Sequence, residues 1–186
     1  VCGSDEPKFL GFRGNQEYEG AAKLTVGQEH MVTSVVRCQK CGFIYTNPMI
    51  ILPVEEQPTL YEDPEEYRSS AYDSPLRMFN RSLFFIEKFT KNKGKILDVG
   101  AGKGEFMTAA KNRGWDVYGV EPSIKFRQHA KQKYELDIIG SGLEEAGLPE
   151  NYFDVITLNM VLEHIDEPHS SLSSIYKLLK KGGLLY

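Results

Sequence analysis

The sequence predicts an α/β architecture over residues 94–186: a mostly parallel sheet with helices on both faces, preceded by a small β-rich segment that holds the cysteines. Three observations carry this. Short apolar runs alternate with helical stretches from Gly94 onward, the pattern of repeated β-α units. A glycine-rich turn joins the first of those runs to the first helix after it. All three cysteines fall within residues 1–50, among glycines and short β-type runs.

The elements follow in order. Met31-Val-Thr-Ser-Val-Val-Arg37 reads as a strand of the N-terminal segment, 1–50. Residues 51–73 are rich in Pro, Glu and Tyr without a period and read as an irregular connection. A helix is predicted from Ser74, its cap, through Pro75 to about Thr90, with Leu76, Phe79, Leu83 and Ile86 on one face. It closes a linker-and-packing region, 51–93, ahead of the main domain, 94–186. There Lys95–Val99 is a buried strand and 104–113 a helix stopped by Gly114. Val117–Val120 is a second strand, and Ser123 caps a helix to about Tyr134. Leu136–Ile139 is expected as a third strand and Phe153–Leu158 as a fourth. The next helix is expected from Pro168 to Lys181, with Asp166 or Glu167 at its start, and Gly183–Tyr186 opens a fifth strand.

Composition excludes some functions. With a net charge of −4 and no Lys/Arg-rich block, a broad nucleic-acid surface is disfavoured. No stretch approaches the roughly 20 apolar residues that span a bilayer, and no basic-then-apolar leader opens the sequence, so a soluble, cytoplasmic protein is expected. An odd number of cysteines, two of them in Cys38-x-x-Cys41, suggests metal or redox chemistry before a disulfide framework.

The most informative segment is Ile96-Leu-Asp-Val-Gly-Ala-Gly-Lys-Gly-Glu-Phe106. Glycine lets the backbone turn sharply and lets a ligand approach main-chain amides, and the helix N-terminus adds unpaired N–H groups that suit a carboxylate or a phosphate. The spacing is G-x-G-x-G at 100, 102 and 104. The dinucleotide fingerprint needs a glycine at 105, where Glu105 stands, and the phosphate loop G-x-x-x-x-G-K-[ST] is absent. Glu121 ends the next strand, where a carboxylate can accept both hydroxyls of a ribose. The residues point to a nucleoside-containing ligand without a diphosphate at the carboxyl edge of the sheet.

Leu97-Asp-Val-Gly-Ala-Gly-Lys-Gly104 resembles the first motif of class I S-adenosylmethionine-dependent methyltransferases, and Glu121-Pro-Ser123 is similar to their second acidic position. Leu148–Asn159, Val161-Leu-Glu-His-Ile-Asp-Glu-Pro168 and Leu178–Leu185 resemble their later motifs, in the family's order, and the second of these resembles the small-molecule branch. The resemblance implies a Rossmann-like fold, S-adenosylmethionine as cofactor and a small-molecule acceptor. It implies that Gly100, Ala101 and Gly102 face the methionine part of the cofactor and that Asp98 approaches its ammonium. Glu121, followed by Pro122, would hold the ribose; Gly142 and Leu143 would lie near adenine; and Asn159 would stand near the methyl donor. It also implies a seven-stranded sheet, of which this sequence reaches the fifth strand, with acceptor-site residues lying beyond.

A methyl on a sulfonium is already activated, so such a site mainly aligns its acceptor. A base is needed only where the acceptor loses a proton, and His164, then Glu163, are the candidates just beyond the fourth strand. Cys38-Gln-Lys-Cys41-Gly42 has the form of a zinc knuckle, and Cys2 looks like part of a second one. Some small-molecule methyltransferases, many thought to act on sugars or in polysaccharide pathways, carry a comparable zinc-ribbon-like N-terminus with an aromatic-Thr-Asn-Pro run, here Tyr45–Pro48. Three thiols leave a structural zinc one ligand short, and His30 is the remaining candidate. The competing functions are a NAD-dependent oxidoreductase, which Glu105 disfavours, and a non-catalytic cofactor-binding scaffold. Oligomeric state is not legible.

Overall fold

The computed structural model of the protein describes residues 6–13, 33–47, 64, 75–165 and 167–186. They divide into two compact units, one within residues 1–58 and the other within 59–186. No described helix is long and apolar enough to cross a membrane.

The N-terminal unit is a three-stranded antiparallel sheet of β1 (Pro7–Arg13), β2 (Thr33–Cys38) and β3 (Ile44–Asn47), in that order. Val36 and Cys38, two residues apart on β2, point to the same face and are buried. The β2–β3 connection is a tight turn in which the Gly42 N–H donates to the Cys38 carbonyl at 2.9 Å and Gly42 takes φ +77.

The C-terminal unit opens with α1 (Pro75–Phe89), in agreement with the predicted helix; its capping residue Ser74 lies outside the described residues. Phe79, Leu83 and Ile86 form its buried stripe, as the three- and four-residue spacing requires. The strands β4 (Lys95–Val99), β5 (Asp116–Val120), β6 (Phe153–Thr157) and β7 (Leu179–Leu185) form one parallel sheet in the order β5-β4-β6-β7. Being central, β4 is covered on both faces. Ile96 faces a cluster with α1 and with α2 (Glu105–Asn112), while Leu97 and Val99 face another with α4 (Pro168–Leu178). Each fully buried Leu or Ile here contributes about 1.5–3 kcal/mol. The remaining helix, α3 (Ile124–Tyr134), starts as predicted, with the Phe126 N–H donating to the Ser123 hydroxyl at 3.4 Å.

Two expectations are corrected. Leu136–Ile139 is not a strand: only Ile139 bridges, to Val120 on the outer edge of β5. Leu136 is instead spent on packing, 4% exposed beside Ala130 of α3, and Asp137 is tied back to Lys131. The last helix stops at Leu178, not Lys181. The carbonyls of Lys177 and Leu178 accept the N–H groups of Asn151 and Tyr152, and Lys180 pairs with Asp154 at 2.8 Å, which draws the chain into β7. Glu167 precedes this helix without a capping hydrogen bond from its side chain, and Asp166 lies outside the described residues.

The strand order places the ligand edge. From β4 the chain runs through α2 to β5 on one side, then returns to β6 on the other. Connections leaving in opposite directions open a crevice at the carboxyl ends of β4 and β6, where parallel sheets bind ligands.

Candidate functional site

The glycine turn 100–104 lies at that crevice. Gly100, Gly102 and Gly104 all adopt positive φ, +68, +52 and +76, a region that costs other residues roughly 1 kcal/mol or more. The turn is docked on β5: the N–H groups of Gly100 and Ala101 both donate to the Val120 carbonyl, at 2.9 and 3.0 Å. Gly104, the residue before α2, sits against α3, so that a Cβ would stand 2.7 Å from a methyl of Leu136 and 3.2 Å from Ala130. At Gly102 a Cβ would meet nothing within 4 Å, so the turn is open there; at Gly100 it would lie 2.5 Å from Val161, which covers that residue. Glu105, in place of a third fingerprint glycine, is the first residue of α2 and pairs with Lys103 at 3.8 Å.

Glu121 turns toward this loop. Its Oε2 accepts the Gly102 N–H at 2.9 Å and its Oε1 accepts the Ser123 N–H at 2.8 Å. The side chain is 9% exposed. One carboxylate thus ties the glycine turn to the start of α3. Each of its oxygens has a further lone pair with which to accept from a ligand hydroxyl. Pro122, next in the chain, is exposed.

Asp98 is an acidic residue among the apolar residues Ile96, Leu97 and Val99 of the central strand, and only 4% exposed. Thr157, opposite it in register on β6 and fully buried, donates to its Oδ1 at 2.6 Å, and the Asn159 amide reaches the same oxygen at 3.4 Å. Burial pushes the Asp98 carboxyl up to about 7; the Thr157 and Asn159 hydrogen bonds pull it down, and the nearby Glu121 charge pushes it up. At neutral pH this group is poised between its acid and its carboxylate.

Hydrogen bonds therefore join Asp98 to Asn159, and Gly102 to Glu121. Leu143 is buried in the cluster that also holds Val99 and Val120. A Cβ on Gly142 would lie 2.7 Å from the Glu145 carboxylate. His164 is exposed on the short 3-10 turn Leu162–His164, and the Glu163 side chain lies outside the described parts. Sequence reasoning missed Thr157, Val161 and Gly119, where a Cβ would meet Met107 Sδ at 2.5 Å and Ala101 Cβ at 3.1 Å. The one visible signal was a threonine in the apolar run Phe153–Leu158.

In the N-terminal unit, Cys38 is buried and Cys41 exposed, at either end of the tight turn. Cys2 and His30 lie outside the described residues. Among the described residues no three His, Cys, Asp or Glu side chains gather to hold a metal.

A family model described as a methyltransferase domain matches residues 67–186. A ubiquinone biosynthesis O-methyltransferase of Glaesserella parasuis is 32% identical over 102 residues, 50% of this chain and 43% of the relative. A SAM-dependent methyltransferase from Archaeoglobus fulgidus superposes with a TM-score of 0.53 at 25% identity, covering 60% of this chain and 51% of that one. A phosphoethanolamine N-methyltransferase 2 of Haemonchus contortus, solved with phosphomonomethylethanolamine and S-adenosylhomocysteine, gives 0.50 at 27% identity, covering 57% and 27%. The chain spans about half the length of the curated relatives it matches.

Proposed function

Because this chain belongs to the methyltransferase-domain family, matched over residues 67–186, we propose that it binds S-adenosylmethionine at the glycine turn and directs its methyl group to a small-molecule acceptor. The observation that supports this reading is the Glu121 carboxylate at the end of β5, which accepts the N–H of the open Gly102. When bound, the cofactor supplies a methyl already activated on a sulfonium.

The chain's own residues would do the rest. The 100–102 turn receives the methionine part, Asp98 meets the ammonium, and Glu121 accepts from the ribose hydroxyls. Gly142 and Leu143 border the adenine, and Pro122 closes the same side. Asn159 sits where β6 ends, toward the methyl. Placement of the acceptor in line with the sulfonium can supply several kcal/mol of barrier reduction. His164 or Glu163 would take a proton only where the acceptor must lose one. The curated relatives' names point to an oxygen acceptor in ubiquinone biosynthesis; the N-terminal segment's resemblance points to a sugar. Both classes belong in an acceptor panel.

Titration calorimetry of this chain with S-adenosylmethionine and with NAD tests the reading. Binding of the first and not the second is expected. NAD binding alone would move the site to oxidoreductase chemistry, and donor binding without turnover on any acceptor would leave a scaffold.

We propose that Cys38 and Cys41, on either side of a tight turn that Gly42 at φ +77 permits, are two thiolate ligands of a zinc knuckle, with Cys2 as a third. Metal analysis should find zinc near one per chain, lost in Cys38→Ser. A metal-free chain would remove this assignment.

A further inference from the structure

The hydrogen bonds of Asp98 are one-sided. Thr157 Oγ1 and Asn159 Nδ2 both donate to Oδ1, at 2.6 and 3.4 Å, and no described residue donates to Oδ2. Thr157 has no exposure at all, and its hydroxyl lies 3.3 Å from the Leu97 carbonyl as well. It therefore has two acceptors within reach and a single proton, and the shorter contact is the one to the carboxyl. A stiff β-branched side chain on a paired strand cannot easily swing away from it. A valine would fill the same space with better apolar burial, so the hydroxyl calls for an explanation other than packing.

We propose that Thr157 is a positioning residue for the methyl donor: by holding Oδ1 of Asp98 from the neighbouring strand, it leaves Oδ2 presented to the ligand's ammonium. This rests on the donor-binding reading above and assigns to β6 a part in donor recognition. The same contact favours the ionised carboxyl, the form that a cation needs, against the burial that opposes it. Thr157 thus acts on how readily Asp98 can receive a cation as well as on where its free oxygen points.

Among the described residues, few groups surround Asp98. Glu121, from the end of β5, is the charged neighbour that acts on it, and Asn159 follows β6. On the turn, Lys103 and Glu105 pair with each other, and His164 is exposed beyond β6.

The test is S-adenosylmethionine affinity measured by calorimetry from pH 6 to 9, in wild type, Thr157→Val and Thr157→Ser. Wild-type affinity should rise with pH through the Asp98 midpoint and fall again as the ligand's own α-amino group, ordinarily titrating at about 7.7–8.0, loses its proton, so the midpoint is read from the rising limb. In Thr157→Val the midpoint should move up by on the order of one pH unit, with affinity most reduced near neutrality. Thr157→Ser, which keeps the hydroxyl, should restore the wild-type midpoint. A packing role would lower affinity evenly across the range in both variants without moving the midpoint, and that result would overturn the proposal. Should Thr157→Val not fold, Thr157→Cys, whose thiol donates weakly, takes its place with a smaller upward shift; an unmoved midpoint there is equally fatal. Wild type that binds no donor at any pH would sink the underlying reading, whereas wild type that binds and a Val variant with an unmoved midpoint would sink only the role of Thr157.

Discussion

Replacing Glu121 by alanine is expected to weaken S-adenosylmethionine binding by on the order of a hundredfold, because several charge-assisted hydrogen bonds of about 1.5–3 kcal/mol each depend on this one group. Two of them are internal, from Gly102 N–H and Ser123 N–H. Losing them leaves two backbone donors unanswered and loosens the glycine turn, so the alanine variant should also unfold at lower temperature. The proposed ribose contacts add to that loss. They can be separated from scaffolding by pairing the variant with a modified ligand. In wild type, S-adenosylhomocysteine lacking its 2′-hydroxyl should bind more weakly than the parent compound. In Glu121→Ala the two should bind alike. If the alanine variant keeps wild-type affinity for the donor, the ribose assignment is lost, and the proposed cofactor site with it.

Asp98→Asn should have opposite effects on ligand binding and on stability. The asparagine carbonyl can still accept from Thr157 and Asn159, so the shape of the site is kept. The negative charge that the ammonium would meet is gone, and donor affinity should fall by on the order of ten- to a thousandfold, with its dependence on pH near neutrality removed. The unliganded protein should become more stable at pH 8. The folded carboxyl holds its proton up to about 7, against an ordinary value of 3.8 for an unstrained aspartate. The folded state therefore binds more protons than the unfolded state between those values, and stability falls as pH rises from about 4 to about 7, then levels off. The amide carries no such penalty, and the gain at pH 8 should be on the order of a few kcal/mol at most. Thermal unfolding of both proteins at pH 5 and pH 8 checks this. A variant no more stable than wild type at pH 8 would show that Asp98 is not strained by burial.

The two carboxylates have different surroundings. Glu121 accepts two backbone N–H groups at the rim of the sheet, whereas Asp98 sits inside a central strand and, among the described residues, accepts from the neutral side chains of Thr157 and Asn159. Burial without a cation is costly for a charged group, which is why the Asp98 carboxyl is pushed up.

Much of the fold could be read directly. The helix of 75–89, the strand-turn-helix of 95–112 and the capped helix after Ser123 all stand within a residue or so of where pattern and capping put them. The supposed third strand failed because a run of four residues, three of them apolar, does not distinguish a paired strand from an extended segment whose side chains pack: Leu136 packs, and only Ile139 pairs. The end of the last helix failed because Lys180 finds Asp154, 26 residues earlier, a partner that helix-stop signals cannot reveal.

The sequence alone determined the alternation of elements, the sharp glycine turn and the presence of an acidic residue at the next strand end. Periodicity, capping and turn chemistry are properties of neighbouring residues, so they are written locally. Tertiary structure decided which groups share a hydrogen bond: Glu121 with the amide of Gly102, 19 residues back, and Thr157 with Asp98, 59 residues apart. Strand register and burial set those pairings, and both arise only when distant segments pack together.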